Sequence, residues 1–456
     1  MNKYDSEIVA GILTQNGYRQ VFRSEEADIL LVNTCSVREH AETRALGRAD
    51  NLSVYKKQHP GRQIGVLGCM VQNLGEKILA EHPAVDFVVA PDSYRHLPQI
   101  LKQNLRHSRG EFSVRAFLDD SGSNELYDDV YPKRVEGISA WIAVMRGCNN
   151  FCAYCIVPYV RGRERSRPAE HVVDEVKKLV DEGFVEVTLL GQNVNSYDDG
   201  RHDFPDLLEM VAQVEGLLRV RFATSHPKDL SEKLVRTIAS HPKICRHIHL
   251  PVQSGSTRIL KAMNRVYTRE TYLRKVDLIR RYIPDVGLTT DIIVGFPGET
   301  QEDFEATKSL VKEVEYDGAF IFKYSPRPHT PAARMKETLT EEEKIQRLQE
   351  LNAIQKEISL QKNRAHIGQT AEILIEGPSK RSLKDAMGRL ENNKIVILPN
   401  TKLRPGALIP VRITEVRGVT LFGERIDGKT TPKTDADEKE VPVPVTDKTP
   451  LVNEME

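Results

Sequence analysis

Cysteine is scarce in this chain of 456 residues, and three of its six cysteines, Cys148, Cys152 and Cys155, fall within eight positions. That distribution excludes a disulfide scaffold, which needs cysteines spread across the fold. A tight cluster in a chain without an export signal reads instead as a metal site, and metal-binding thiolates point to a reducing, cytoplasmic setting. Long apolar runs are also missing, which removes a membrane partner from the expectations. Charge of one sign is not in excess, because 65 Lys and Arg face 65 Asp and Glu. A protein that coats nucleic acid non-specifically would need a basic surplus, whereas a local basic face remains open. The hydrophobic share of 39% suffices for true cores, and the length suggests two to four domains.

Residues 1–106 alternate helical and strand patterns. Asp5–Asn16 carries Ile8, Val9, Ile12 and Leu13 on one face. Apolar runs at 27–32, 63–67 and 85–89 are predicted strands of a parallel α/β sandwich covered on both faces. Cys35 and Cys69 follow the first two of these runs directly, at the strand ends where open α/β sheets bind ligands. Residues 107–136 are polar and read as a linker. From 137 to 363 the alternation resumes, with strands expected at 141–145, 185–190, 220–223, 247–252, 287–294 and 318–324. Helices are expected at 169–182, 231–240, 269–282 and 301–314. Six such units predict a partial (β/α)6 barrel with its site at the carboxyl ends of the strands. Thr340-Glu-Glu-Glu343 is a capping box that opens a long helix. Residues 364–428 switch to a period of two and predict a small β-barrel. The tail at 429–456 has the composition of a disordered segment.

The chemistry concentrates at Cys148-Asn-Asn-Phe-Cys152-Ala-Tyr-Cys155. Three thiolates fill three corners of a [4Fe–4S] cube and leave one iron open to a small molecule. A zinc knuckle would need a fourth ligand nearby, and His171 lies too far along to supply it.

This motif resembles the signature of the radical S-adenosylmethionine (SAM) enzymes. The likeness continues through Arg146–Gly162, Ser166-Arg-Pro168, Leu190-Gly-Gln-Asn-Val-Asn-Ser-Tyr197, Leu250–Ser256 and Asp291–Glu299, which are similar to the methylthiotransferases. Asn33-Thr-Cys-Ser-Val-Arg38 and Tyr324-Ser-Pro-Arg-Pro328 resemble the MiaB-type tRNA enzymes within that family, and the last module resembles the TRAM domain. The resemblance implies conversion of N6-dimethylallyladenosine beside the tRNA anticodon to its 2-methylthio derivative. Hydrogen is removed from C2 by a radical derived from SAM, and methylthio is inserted. C2–H of adenine is neither acidic nor electrophilic, so acid–base catalysis does not reach it and the work falls to cofactors.

By the same resemblance the chain uses two [4Fe–4S] clusters and SAM. Cys148, Cys152 and Cys155 hold one cluster, and Cys35 and Cys69 are ligands of an auxiliary, sulfur-donating one. The family opens with a strand ending Gly-Cys-Gln ahead of Met-Asn-x-x-Asp-Ser-Glu. Here the chain starts at Met1-Asn2-Lys-Tyr-Asp-Ser-Glu7, so the first strand and the third auxiliary cysteine are expected to be missing. SAM contacts are expected at Gly191, Gln192, Ser225, Gly295 and Glu299. Each of these positions also has a plainer reading as a strand-to-helix turn. RNA contacts are expected from Arg161 and Arg163, with Tyr159, and from Lys380, Arg381, Lys384 and Arg389 in the β-module, where Lys394, Lys402, Arg404, Arg412 and Arg417 add cations. The implied partners are tRNA as an anticodon stem-loop with an isopentenylated adenosine, an electron donor such as flavodoxin or ferredoxin, and iron–sulfur assembly or sulfur-supply proteins. The chain is expected to be a monomer. Two relatives of this chemistry stay open, acting on threonylcarbamoyl-adenosine in tRNA or on a ribosomal-protein aspartate. A non-enzymatic iron–sulfur RNA-binding protein is the rival from another class.

Overall fold

A computed structural model describes residues 1–36, 39–59, 61–106, 116–118, 125–134 and 137–426. The N-terminal domain runs α1 (Asn2–Gln15), β1 (Ile29–Thr34), α2 (Glu39–Gln58), β2 (Gln63–Gly68), α3 (Cys69–Glu81), β3 (Phe87–Val89), α4 (Leu97–Arg106) and β4 (Ala116–Phe117). The four strands form one parallel sheet in the order β1-β2-β3-β4. Every residue of β2 is buried, as expected of a strand covered on both faces. One face packs under Ala49, Met70, Val71 and Ile78 of α2 and α3. The other meets Ile8, Val9 and Ile12 of α1 and Leu97, Ile100 and Leu101 of α4, and this core runs on into the barrel through Ala143 and Leu190.

The barrel contains β5 (Ser139–Ala143), β6 (Met145–Arg146), α5 (Val157–Arg161), β7 (Arg165–Ser166), α6 (Ala169–Asp181), β8 (Glu186–Leu190), α7 (Phe204–Ala212), β9 (Arg219–Ala223), α8 (Glu232–Ser240), β10 (His247–His249), α9 (Thr257–Ala262), α10 (Arg269–Tyr282), β11 (Gly287–Val294), α11 (Gln301–Val314), β12 (Gly318–Lys323) and α12 (Glu341–Arg364). Strands β5-β8-β9 and β10-β11-β12 are two parallel sheets. A bridge between Val220 and Ile244 joins them into one open arc. The predicted strand at 141–145 is split. β5 ends at Ala143, and β6 turns away to pair antiparallel with β7. The strand predicted to reach residue 252 stops at His249, because Pro251 has no N–H for a ladder.

The last module is a closed barrel, β13 (Thr370–Pro378), β14 (Ala386–Arg389), β15 (Ile395–Leu398), β16 (Leu408–Arg417) and β17 (Thr420–Arg425), in the order β13-β14-β15-β17-β16. Two of its strands, β14 and β17, carry too little alternation to stand out in the sequence. The module sits at the amino ends of the barrel strands. Arg219 and Arg221 of β9 donate to the carbonyls of Glu372, Arg389, Leu390 and Glu391. Gly287 admits the module there, since a Cβ at that position would lie 2.4 Å from the Asn392 carbonyl oxygen.

The described part of the predicted linker is packed rather than slack. Ala116–Phe117 is strand β4, and Tyr127 and Val130 are buried between the domains. The tail expected to be disordered, 429–456, lies outside the described residues.

Candidate active site

The three clustered cysteines sit on the turn that leaves the barrel at β6 and re-enters at α5. Cys148 and Cys152 are buried and Cys155 is half-buried. The turn is pinned by backbone bonds, from Cys148 N–H to the Gly162 carbonyl at 3.2 Å, from Cys155 N–H to Cys152 at 2.9 Å and from Ala153 N–H to Met263 at 2.8 Å. Phe151 holds a left-handed φ of 46°, and Asn264 donates to its carbonyl at 2.9 Å. Burial pushes the Cys155 thiol up to about 12 and also raises Cys148. Only a bound cation would keep such thiols as thiolates at neutral pH. Among the described residues, the group of potential ligand atoms that closes to within 4.8 Å is Glu170, Asp199 and His202 rather than the three cysteines. Arg265, itself buried, donates toward Cys152 Sγ at 3.3 Å and is held by Tyr267 and the Pro251 carbonyl.

The predicted SAM residues gather around the same mouth. Gly191 and Gln192 follow β8, Ser225 follows β9, and Gly295 and Glu299 follow β11. Glu299 accepts from the Gly295 amide at 2.7 Å and from Arg347 at 2.6 Å through Oε2. A Cβ on Gly295 would lie 2.5 Å from Lys344 Cγ, so glycine there also has a packing reason. The unpaired atoms are more telling. Gln192 Oε1, Asn193 Oδ1, Ser225 Oγ, His226 Nε2, Glu299 Oε1 and Tyr324 Oη are buried without a hydrogen-bond partner among the described residues. Buried polar atoms are normally satisfied, and six at the carboxyl ends of neighbouring strands describe a cradle for a polar ligand. Burial, reinforced by Arg265, lowers His226 to about 2, so its imidazole is neutral there.

In the N-terminal domain, Thr34 and Gly68 are register partners, so Cys35 and Cys69 leave the sheet side by side. Cys69 packs against Ile156 and Val160 of the loop and helix that follow Cys155. Arg161 donates to Cys69 Sγ at 3.0 Å and to Asp5 at 2.6 Å, and Arg146 reaches the same carboxylate at 2.8 Å. Burial alone would raise Asp5, but Arg161 and Arg146 override it and hold the carboxyl at about 2.

This corrects one expectation. Arg161 is buried and turned inward, so it is not on an RNA path, whereas Arg163 and Tyr159 remain exposed. Arg163 lies over the Phe151 ring at 4.5 Å, with Tyr159 edge-on to that ring. Lys380, Arg381 and Lys384 are exposed on the loop between β13 and β14. Arg389 is tied to Glu376 at 2.8 Å and to Asn393, and Lys394 to Asp317 at 2.8 Å. Asp5, Arg146, Asn193, His226, Arg265 and Tyr324 are site residues that sequence reasoning missed. Asp5, Arg146, Asn193 and Tyr324 lie within segments quoted above and were within reach, whereas His226 and Arg265 carry no local signal.

Profiles of known families match three segments: the radical SAM superfamily over residues 142–311, the uncharacterized protein family UPF0004 over 1–90 and the TRAM domain over 364–426. A tRNA-2-methylthio-N(6)-dimethylallyladenosine synthase of Chloroherpeton thalassium is 48% identical over 93% of this chain and 94% of its own. Its counterpart in Bacteroides thetaiotaomicron is 46% identical over 93% and 94%. The chain belongs to the tRNA-2-methylthio-N(6)-dimethylallyladenosine synthase family. Membership makes it a radical-SAM enzyme that works with an iron–sulfur cluster and SAM. Among solved structures, a radical SAM methyltransferase, TsrM from Kitasatospora setae, shares the fold with a TM-score of 0.58 and 15% identity over 73% of this chain and 74% of that one. Among the described residues no helix is long and apolar enough to cross a membrane.

Proposed function

We propose that this synthase-family chain converts N6-dimethylallyladenosine beside the anticodon of tRNA to its 2-methylthio derivative. The observation that carries the reading is the coincidence, at one barrel mouth, of three thiols on one short turn with six buried polar atoms that lack partners among the described residues. Cys148, Cys152 and Cys155 would hold a [4Fe–4S] cluster with one iron left for SAM. Cys35 and Cys69 would contribute ligands to a second, sulfur-donating [4Fe–4S] cluster. When bound, these groups supply the one-electron chemistry and the sulfur that no side chain offers.

The protein's own part is binding, orientation and exclusion of water. Arg265 places a fixed positive charge against Cys152. Glu299 uses Oε2 to hold its loop and leaves Oε1 to accept from a cationic or N–H group, which suits the amino end of SAM. Gln192 and Ser225 line the same rim and suit its polar edges, and Gly191 and Gly295 let the chain turn close beside them. Phe151, Tyr159 and Arg163 offer a stacking and phosphate-binding lip at the mouth. Lys380, Arg381 and Lys384 offer phosphate contacts on the module. Low-potential reduction calls for a soluble electron donor of the flavodoxin or ferredoxin kind, and renewal of the donated sulfur calls for iron–sulfur assembly proteins.

The test is mass spectrometry of tRNA nucleosides from cells with and without the gene. Loss of the 2-methylthio derivative with accumulation of the N6-dimethylallyl precursor is the expected result. An unchanged nucleoside profile would overturn the assignment.

A further inference from the structure

Two arginines that flank the cysteine loop leave the barrel and enter the N-terminal domain. Arg146 stands just ahead of Cys148, and Arg161 closes α5 behind Cys155. They are 2% and 5% exposed, and they share Asp5, which is wholly buried. Arg146 Nε, Arg146 Nη1 and Arg161 Nη1 are buried with no acceptor among the described residues. The Arg161 Nε faces Cys69 Sγ. Two cations against one carboxylate, with three unsatisfied donors, is an expensive arrangement in a dry interior. These donors match an anion that offers several acceptor atoms. Cys69 offers a single sulfur, which the Arg161 Nε already faces, and so does not supply it. A thiolate-bound iron–sulfur cluster does, because its sulfurs accept hydrogen bonds and the charges around it set its potential.

We infer that Arg146 and Arg161 are positioning residues for the N-terminal cluster: they donate to it, offset its negative charge and fix it against the cysteine loop of the barrel. The inference rests on the two-cluster reading above. Asp5 orients both guanidiniums, and because both arginines flank the barrel motif, one structural element sets the relation between the two cluster sites.

The test uses the full chain with Cys148, Cys152 and Cys155 all changed to Ala, reconstituted anaerobically, so that the N-terminal centre is observed alone. Its reduced-to-oxidised ratio is read by paramagnetic resonance at fixed applied potentials. Arg161→Gln removes a positive charge and should lower that ratio about tenfold, a 59 mV fall for a one-electron couple. Arg161→Lys keeps the charge and should stay near the parent, whereas Asp5→Asn removes a negative charge and should shift the ratio the opposite way. Should Arg161→Gln fail to accumulate folded, Arg146→Gln removes the same charge from the other side of Asp5 and carries the same expectation. Loss of iron from Arg161→Gln with retention in Arg161→Lys would support the inference. Equal ratios in parent and Arg161→Gln, shifts of one sign in Arg161→Gln and Asp5→Asn, or equal iron loss from Gln and Lys variants would overturn it. No iron–sulfur signal in the parent itself would refute the two-cluster reading and the inference with it, and that failure is distinct because it precedes any change at the arginines.

Discussion

Replacing Arg221 by Met should loosen the C-terminal module from the barrel and destabilise both. Arg221 is 8% exposed and Glu186 4%. The guanidinium donates from Nε to Glu186 at 2.8 Å, from Nη1 to the Glu391 carbonyl at 3.1 Å and from Nη2 to the Leu390 carbonyl at 2.9 Å. The methionine keeps most of the stem but strands the Glu186 carboxylate in the interior. Breaking a buried pair from one side costs about 3–5 kcal/mol. For a domain of the barrel's size, each kcal/mol lowers Tm by about 2–4 °C, so the shift is about 6–20 °C. The assay is thermal unfolding by circular dichroism, with Arg221→Met measured beside Arg221→Met combined with Glu186→Gln. The double variant no longer buries a lone charge and should recover part of the loss. A drop below about 3 °C, equal in single and double variants, would refute the seat as an energetic contact. Product formation at a temperature where the variant stays folded should persist, because the cysteine loop lies at the opposite ends of the strands.

Changing any one of Cys148, Cys152 or Cys155 to Ala should abolish release of 5′-deoxyadenosine after dithionite reduction, and normal yield from one such variant would remove that residue from the ligand set. Changing Lys380, Arg381 and Lys384 together to Gln should weaken tRNA binding and flatten its salt dependence by about 0.7–0.9 for each phosphate no longer neutralised, with SAM cleavage kept; an unchanged slope would make these ordinary solvated charges. His247 is lowered to about 3, first by burial and then by Arg221 and His249, with Asp317 opposing and Arg389 adding to the effect. The unfolded chain then takes up a proton near pH 6.5 that the folded chain refuses, so stability falls as pH drops from about 6.5 toward 3. At pH 5 this amounts to about 2 kcal/mol. Urea unfolding of His247→Gln should show that part of the acid limb flattened, and an identical limb would assign the loss elsewhere.

The sequence made local chemistry legible and long-range chemistry invisible. Cys148, Cys152 and Cys155 lie within one turn of chain, so their spacing carries their use. Gln192, Ser225 and Glu299 could be placed at the barrel mouth because each lies in the loop after a strand whose apolar pattern announces it. Helices α10 and α11 match their predicted bounds because N-cap threonines, Thr268 and Thr300, mark their starts. The Asp5 bridge had no such signal. Its partners are 141 and 156 positions away, and an aspartate in an amphipathic helix ordinarily marks the wet face. Arg161 was misread for the same reason, since an arginine beside Tyr159 and Arg163 looks like surface until the N-terminal domain is laid over it. Arg389 and Lys394 read as free cations because nothing local reveals Glu376 or Asp317.

The two ends of the barrel carry different parts of the task. The cysteines and the unpaired polar atoms stand at the carboxyl ends of the strands, and the β-module is seated at the amino ends. The eight residues of β11 separate these ends by about 26 Å at 3.3 Å per residue. The β14–β15 turn is the part of the module inserted against the barrel, so the loop with Lys380, Arg381 and Lys384 lies at the other end of β14. An RNA held by those three cations and by the lip at Phe151, Tyr159 and Arg163 must therefore run along the flank of the barrel. On the proposed function, the module would contribute affinity through phosphate charge, which is indifferent to sequence. On the proposed function, selection of the adenine would fall to the lip, where stacking and base-edge contacts act on a single-stranded loop. Changes on the module should thus alter how tightly RNA is held, and changes at the lip should alter which base is presented.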